Sequence, residues 1–460
     1  MLLNIVLFIT SIIIYGFAPE TYDLSFILID LALFLVGAFN LLINNKDRFN
    51  VLSFNIIFLL SFFFCTYSYA IFVIGAGVEF SLSIFQVTNF EYITQAIGLS
   101  TIAITAYFCA YSYQQRKNIL KSNIQIKGII HKIKLIAKIR SIFFLTVIVN
   151  FFYFTLIMGG DSFAVTSASF LPELYKLFLI LYLILNSILY KGQSLNFIDI
   201  IRYNKKAFVE IAIICLLYLV GGDRGLPISI AFILLGVYSF FYKRIKISHF
   251  VLIALLGVLS LFAIRVTRDG ENSIAKRGLS GVVSTTQDAI SGKSAILLFS
   301  DLMGISSEMC LGYEFVQKNG LVLPGKIFLV PLHPFPFLPS LIGRFFFDKT
   351  PYEMSASSLL NEYVGQRFGY TSNLGNHIVI DLYMHWGVIG VIIFFCFFGR
   401  CISYLDRNKY SNLFVASSYI MVLSLALYLP RDSMFTIIRP LAFLWLFCHV
   451  FHLINKTNVK

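Results

Sequence analysis

The side chains that could do chemistry fall into two groups. His377, Asp381 and His385 recur every four residues, so on a helix they share one face. Such a face can supply a base whose ring is held by a neighbouring carboxylate, or ligands for a metal. The three span two turns with no second cluster beside them, so they read better as the lining of a polar mouth than as a metal site. Glu362 and His333 are further base candidates, in a long polar interval that ends at His377. The second group is cationic. Arg224 stands in the turn Gly221–Gly222–Asp223–Arg224–Gly225 and Arg431 in Pro430–Arg431–Asp432. Arg265 and Arg268 close an apolar run, three residues apart, and Arg439 lies inside another. An arginine fork suits phosphate oxygens, glycines let backbone approach them, and a helix opening at Gly225 adds N–H groups. The competing readings are ion pairs that close the two turns, and Arg265 and Arg268 snorkelling to lipid headgroups. Arg439 needs a partner or a polar cavity, and Asp30 is a candidate partner. No D-x-D pair, Walker sequence or G-x-S-x-G elbow is present, which disfavours a metal–nucleotide transferase, an ATPase or a serine hydrolase.

The elements that position these residues are membrane spans. The chain has 460 residues, 58% of them hydrophobic, with 49 Phe and only 13% charged residues. A soluble domain of this size cannot hide so much apolar surface, so the fold class is an all-α polytopic membrane protein. A β-barrel would show short alternating segments instead of continuous runs. The first run, 2–18, lacks a basic leader and a small-residue exit, and reads as a retained helix. Further runs at 24–43, 51–74, 92–113, 141–158, 174–190, 207–221, 226–242 and 247–264 precede the polar interval. Runs at 378–399, 411–429 and 433–454 follow it. The expectation is therefore about twelve transmembrane helices, grouped as 1–264 and 378–460, around one long loop, 265–377.

The net charge of +13 invites a nucleic-acid reading, but the long loop is balanced and the basic excess sits in alternate short loops. That is the positive-inside pattern. It places both termini in the cytoplasm and the long loop outside. Residues 124–135 alternate Ile and Lys, as an amphipathic helix on the inner membrane surface or a solvated basic loop. Within the long loop the pattern predicts a helix over about 293–318 and another over 355–367. Between them, Pro331, Pro334, Pro336 and Pro339 predict an extended passage along the membrane, and Asn373–His377 predicts a turn and cap. Six of seven cysteines lie in apolar runs, with only Cys310 in the loop, so no disulfide framework is expected.

Several of these features together resemble the Wzy family of O-antigen, or oligosaccharide repeat-unit, polymerases. They are the many helices, the long loop before the last spans, the Gly222–Asp223–Arg224–Gly225 turn, and the run from Asn373 through His377, Asp381 and His385 to Trp386–Gly387 and Gly390. The W-G-x-x-G ending is shared with the related O-antigen ligases. The resemblance implies a GT-C-like enzyme of the bacterial cytoplasmic (inner) membrane, an inverting glycosyltransferase needing no metal or cofactor. It would join undecaprenyl-pyrophosphate-linked glycans on the outer face, among membrane lipid, with a chain-length regulator and a flippase as partners and no nucleic acid. It further implies that Arg224, Arg265, Arg268 and Arg431, with Arg439 deeper, cradle the pyrophosphate. The base would be His377, with Asp381 holding its ring, or else Glu362 or His333. An O-antigen ligase fits the same plan. A lipid-linked oligosaccharide flippase or other transporter fits the helix count, but it leaves the long loop unexplained and finds no internal repeat.

Overall fold

The computed structural model describes residues 1–44, 52–75, 91–115, 128–153, 170–190, 197–220, 225–245, 304–322, 338–350, 353–368 and 375–451, with the single positions 248, 329, 332, 335 and 453. Among these residues all regular structure is helical. In chain order the helices are α1 (Leu2–Gly16), α2 (Leu24–Asn44), α3 (Phe54–Thr66), α4 (Ile93–Gln114), α5 (Ile129–Phe152), α6 (Phe170–Leu189), α7 (Phe197–Tyr203), α8 (Lys205–Val220) and α9 (Gly225–Phe241). Then follow α10 (Ile305–Asn319), α11 (Leu338–Phe347), α12 (Ala356–Phe368), α13 (Ile378–Asn408), α14 (Leu413–Leu425) and α15 (Ile438–Val450). A π-helical stretch, Tyr69–Gly75, follows α3, and two 3₁₀ turns, Leu429–Arg431 and Met434–Ile437, join α14 to α15. Five helices, α2, α4, α5, α6 and α13, are long and apolar enough to cross a bilayer. The described residues are those of a helical membrane protein.

Two apolar cores meet along α14. One is built from α2, α3, α4, α10, α12 and α13, with Phe8 and Tyr15 of α1 packed against it, and takes Tyr419, Val422 and Leu423 from α14. The other is built from α5, α6, α8, α9 and α15, and takes Leu413, Ala416, Ile420 and Met421. Helix α4 is the pillar of the first. It is rich in Ala, Gly, Ser and Thr, and small residues let helices approach closely inside a bilayer. Its hydroxyls bond back to their own helix: Ser100 to Ala96 O, Thr101 to Ile97 O and Thr105 to Thr101 O. They are thereby satisfied where no water reaches. Gly399 of α13 faces α4 so closely that a Cβ there would sit 2.6 Å from the Tyr107 carbonyl oxygen. Beside this contact Phe54, Phe58, Tyr107 and Phe398 form a ring cluster with centroids 5.2–5.8 Å apart. Such pairs contribute about 0.5–1.5 kcal/mol each beyond area burial.

The structure corrects several expected boundaries. The third run stops at Thr66 and continues as the π-helical stretch. Residues 129–152 form one helix, so the basic segment and the fifth expected span are continuous. The expected proline-bound extended passage gives way at Leu338 to α11, with Pro339 in its first turn, a position where the missing N–H does no harm. The run 247–264 and most of the proline passage lie outside the described residues. Helix α13 breaks at Gly387, whose φ of 65° and ψ of −168° are open only to glycine. At the break the Met384 carbonyl accepts from Val322 N–H at 2.7 Å.

Candidate functional site

A group of buried polar side chains lies where α3 ends, α10 and α13 begin, and the chain turns from α14 to α15. Helix α10 belongs to the long loop by sequence, yet nearly every residue from Ile305 to Glu314 is buried. It is pinned by the Ser306 hydroxyl, which donates to Cys65 O at 2.6 Å. Gly312 lets α10 seat against Ile380 of α13, since a Cβ there would overlap the Ile380 side chain. The seating carries Glu308 inward. Its Oε1 accepts the Gly375 backbone N–H at 2.7 Å, while Oε2 is buried without a hydrogen-bond partner. Burial pushes the Glu308 carboxyl up to about 7, against the pull of Gly375 N–H and the nearby Arg431.

Arg431 closes the first 3₁₀ turn and is half-buried, with its guanidinium 5.6 Å from the centre of the Tyr428 ring. Its charge acts on Glu308 and also on Asp432. Asp432 accepts Ser433 N–H at 2.7 Å, and burial raises its carboxyl. The Ser433 hydroxyl in turn donates to Asp381 Oδ2 at 2.8 Å, tying the turn to the first turn of α13. The ion pair that would close this turn is not made within 4 Å among the described residues; the Arg431 charge instead acts on both Glu308 and Asp432.

The remaining sequence candidates distribute as follows. His377 is the N-cap residue of α13 and 1% exposed. Its Nε2 lies 3.2 Å from the Thr66 hydroxyl and its Nδ1 is buried without a partner. Burial holds its ring down to about 3, so it stays neutral at physiological pH. Asp381 is oriented by Ser433, not by the His377 ring. His385 Nδ1 lies 2.7 Å from Asp381 O, and a carbonyl can only accept, so that nitrogen carries the proton. Among the described residues no three His, Cys, Asp or Glu side chains gather as metal ligands would. Glu362 is exposed on α12, where Gln366 donates to it at 3.2 Å. Arg439 stands 4.0 Å from Glu173 of α6, while Asp30 lies between α2 and α4 beside Gly98. His333, Arg224, Arg265 and Arg268 lie outside the described residues.

Sequence reasoning passed over Glu308, Glu173, Thr66 and Ser433. For Glu308 a signal existed: it is the one charge in the run Gly304–Gly312, flanked by serines and apolar residues. A lone carboxylate there is either exposed on a polar face or, as here, buried with a purpose. The arrangement joins a carboxyl poised near neutrality, with one oxygen fixed and one open, to a guanidinium. That pair can take a proton from a hydroxyl while an anion is held beside it. Comparison of the chain with known protein families, curated proteins and solved structures found no match.

Proposed function

We propose that this chain is a membrane glycosyltransferase that joins polyprenyl-pyrophosphate-linked oligosaccharide repeat units into a surface polysaccharide. The observation that carries the reading is the buried Glu308 carboxyl, without a hydrogen-bond partner on Oε2 and within the electrostatic influence of Arg431. The resemblance to repeat-unit polymerases supplies the substrate class. In this proposal the frame is GT-C-like with about twelve spans in the bacterial inner membrane. Both termini are cytoplasmic, and the loop carrying α10–α12 is on the outer face.

The reaction makes two demands. An acceptor sugar hydroxyl must lose its proton as it attacks the anomeric carbon of the donor glycan. The bond from that carbon to the pyrophosphate must break, leaving the carrier with its negative charge. Glu308 takes the proton, and its carboxyl near 7 is matched to that task. Arg431 meets the growing charge on the pyrophosphate, a form of stabilisation that strengthens as the bound substrate displaces water. Arg224, Arg265 and Arg268 complete the cradle in this reading, and Arg439 adds positive potential from the start of α15. Asp381 and Ser433 hold the Arg431 turn against α13. His377, neutral and bound to Thr66, positions the start of α13.

The test is a reconstituted assay. Purified protein in proteoliposomes, supplied with carrier-linked repeat units alone, is expected to produce a ladder of lengthening glycans. Arg431→Ala, at normal protein levels, is expected to slow it by roughly 10²–10³-fold. No ladder from the unsubstituted protein, with transfer appearing only when a lipid core acceptor is added, would reassign the chain as a ligase. Movement of the lipid-linked glycan across the bilayer without any new bond would reassign it as a transporter.

A further inference from the structure

Helix α11 has no role in the proposed chemistry, and its surface is unusual. Leu341, Phe345 and Phe346 are 69%, 82% and 69% exposed, and Phe335 just before the helix is 58% exposed. Successive residues of a helix turn by about 100°. On that wheel Leu341, Phe345, Leu338, Ile342 and Phe346 form one continuous apolar arc. Ser340 and Arg344 stand opposite, with Phe347, 38% exposed, between them and the buried flank. The buried residues, Pro339 and Gly343, fall at the flank between the two.

That three-part division has a geometric meaning. A helix lying on a soluble core would bury its large apolar arc. Here the arc is open, and the side against the protein is made of small residues. At Gly343 a Cβ would come 2.6 Å from Lys349 O and within 3.5 Å of Leu329 and Met354. The helix thus lies with its flank against the protein, its apolar arc facing one way and its polar strip the other. A bilayer surface beside a membrane protein presents that sequence of environments: protein at the side, acyl chains below, water above. The charges agree. Arg344 ends the polar strip and Lys349 follows the turn at Asp348, whose φ is 53°. Both are exposed and of a length to reach headgroup phosphates.

We propose that α11 is an interfacial anchor lying flat in the lipid leaflet on the side of the α10–α12 segment, with Leu341, Phe345 and Phe346 among the acyl chains. The occupant is bilayer lipid, which the spanning helices already place around the protein. The proposal rests on the chain being embedded in a membrane and not on the reaction proposed above. It gives the segment between α10 and α12 a fixed depth, so α10, which carries Glu308, is held from the lipid side as well as by its own packing.

The experiment uses the full chain in phosphatidylcholine–phosphatidylglycerol vesicles. Tryptophan is placed singly at Phe345, Phe346 and Ser340, and each signal is read as the difference from the unsubstituted chain, which has two tryptophans. F345W and F346W are expected to give blue-shifted emission, quenched by lipids brominated on their acyl chains and insensitive to aqueous iodide. S340W is expected to be red-shifted and quenched by iodide. Iodide quenching of F345W and F346W as strong as that of S340W would overturn the proposal. So would shielding of both from bromine and iodide, which would mean that protein covers the arc. Because all three positions are exposed, the substitutions leave folding intact, and elution of the detergent-solubilised chain confirms it.

Discussion

At the C-terminal end of α13, Asp406 receives a donor on each oxygen: Tyr111 on Oδ2 at 2.7 Å and Lys409 on Oδ1 at 3.0 Å. At the other end of the same helix, Glu308 receives Gly375 N–H on one oxygen and nothing on the other. Both carboxylates are buried. Around Asp406 the cation is itself enclosed, with Lys409 Nζ 4.8 Å from the Phe240 ring centre and 5.3 Å from that of Tyr419. Around Glu308 the cation is Arg431, half-buried on a 3₁₀ turn and acting from a distance. A buried charge with a donor on each oxygen is a joint: it ties α4, α9, α13 and α14 together. A buried acid with one oxygen unfilled loses stability for the fold, and persists where something that binds later completes it. The two ends of α13 thus separate holding from acting, and substitutions at each should separate the same way.

The largest effect is expected from Glu308→Gln. The amide keeps an acceptor for Gly375 N–H but cannot take a proton, so glycan polymerisation in the reconstituted assay should fall by roughly 10²–10⁴-fold. On the proposed reaction the unsubstituted chain should gain rate as pH rises through about 7, and the variant's residual rate should not. Stability runs the other way. A carboxyl raised in the folded state from 4.5 to about 7 leaves stability undiminished below 4.5 and reduces it as pH rises to 7, because the unfolded chain ionises first. Glu308→Gln should therefore melt no lower than the parent above pH 7. A variant that is inactive because it unfolds at that pH would erase the distinction between the two ends.

Next in size is Asp406→Asn. Leaving Lys409 buried without its charge partner should cost about 3–5 kcal/mol, read as a lower melting temperature in detergent. Activity per folded molecule should hold. Because a buried pair often contributes little net stability over apolar substitutes, the double variant Asp406→Asn, Lys409→Met should recover much of the loss. If Asp406→Asn instead abolished catalysis at full stability, the inner cluster would be a second site and not a joint.

The difference between the two ends also explains what the sequence disclosed. The long apolar runs of α2, α4 and α6 were legible because hydropathy alone fixes such spans, and their ends fall within a few residues of expectation. Helix α5 was split because the basic stretch with Lys132, Lys134, Lys138 and Arg140 read as an amphipathic surface helix or a solvated loop, separate from the span after it. The backbone runs through them, with Arg140 buried against Glu210 at 2.8 Å and over the Tyr182 ring at 4.1 Å. Helix α11 was hidden by proline counting. Arg431 stood out in the sequence because an arginine in a short turn breaks a local rule. Glu308 was not, since its character comes from Gly375, 67 residues later, and from Arg431 beyond that. Local pattern carries no record of such meetings.

Gly399→Ala tests the wall between the ends. An alanine Cβ would approach the Tyr107 carbonyl to 2.6 Å, and backbone yields less readily than a side chain. Overpacking of this kind costs about 1–3 kcal/mol, and the expected outcome is a lower melting temperature with unchanged pH dependence of the rate. An altered pH profile would mean that the α4–α13 contact sets the Glu308 environment from a distance.

The smallest and most discriminating change is Ser433→Ala. The hydroxyl donates to Asp381 Oδ2 at 2.8 Å and links the Arg431 turn to α13, but it touches neither the open Glu308 oxygen nor the core. Its loss removes one hydrogen bond, worth about 1 kcal/mol, or roughly fivefold in an equilibrium. If the turn serves to present Arg431, that loss should appear as a severalfold lower rate with little change in melting temperature, and Ser433→Thr, which retains the hydroxyl, should restore it. If the turn is a joint like the Asp406 cluster, the loss should appear in stability and leave the rate alone. The outcome decides whether Asp381 belongs to the acting end of α13 or only supports it.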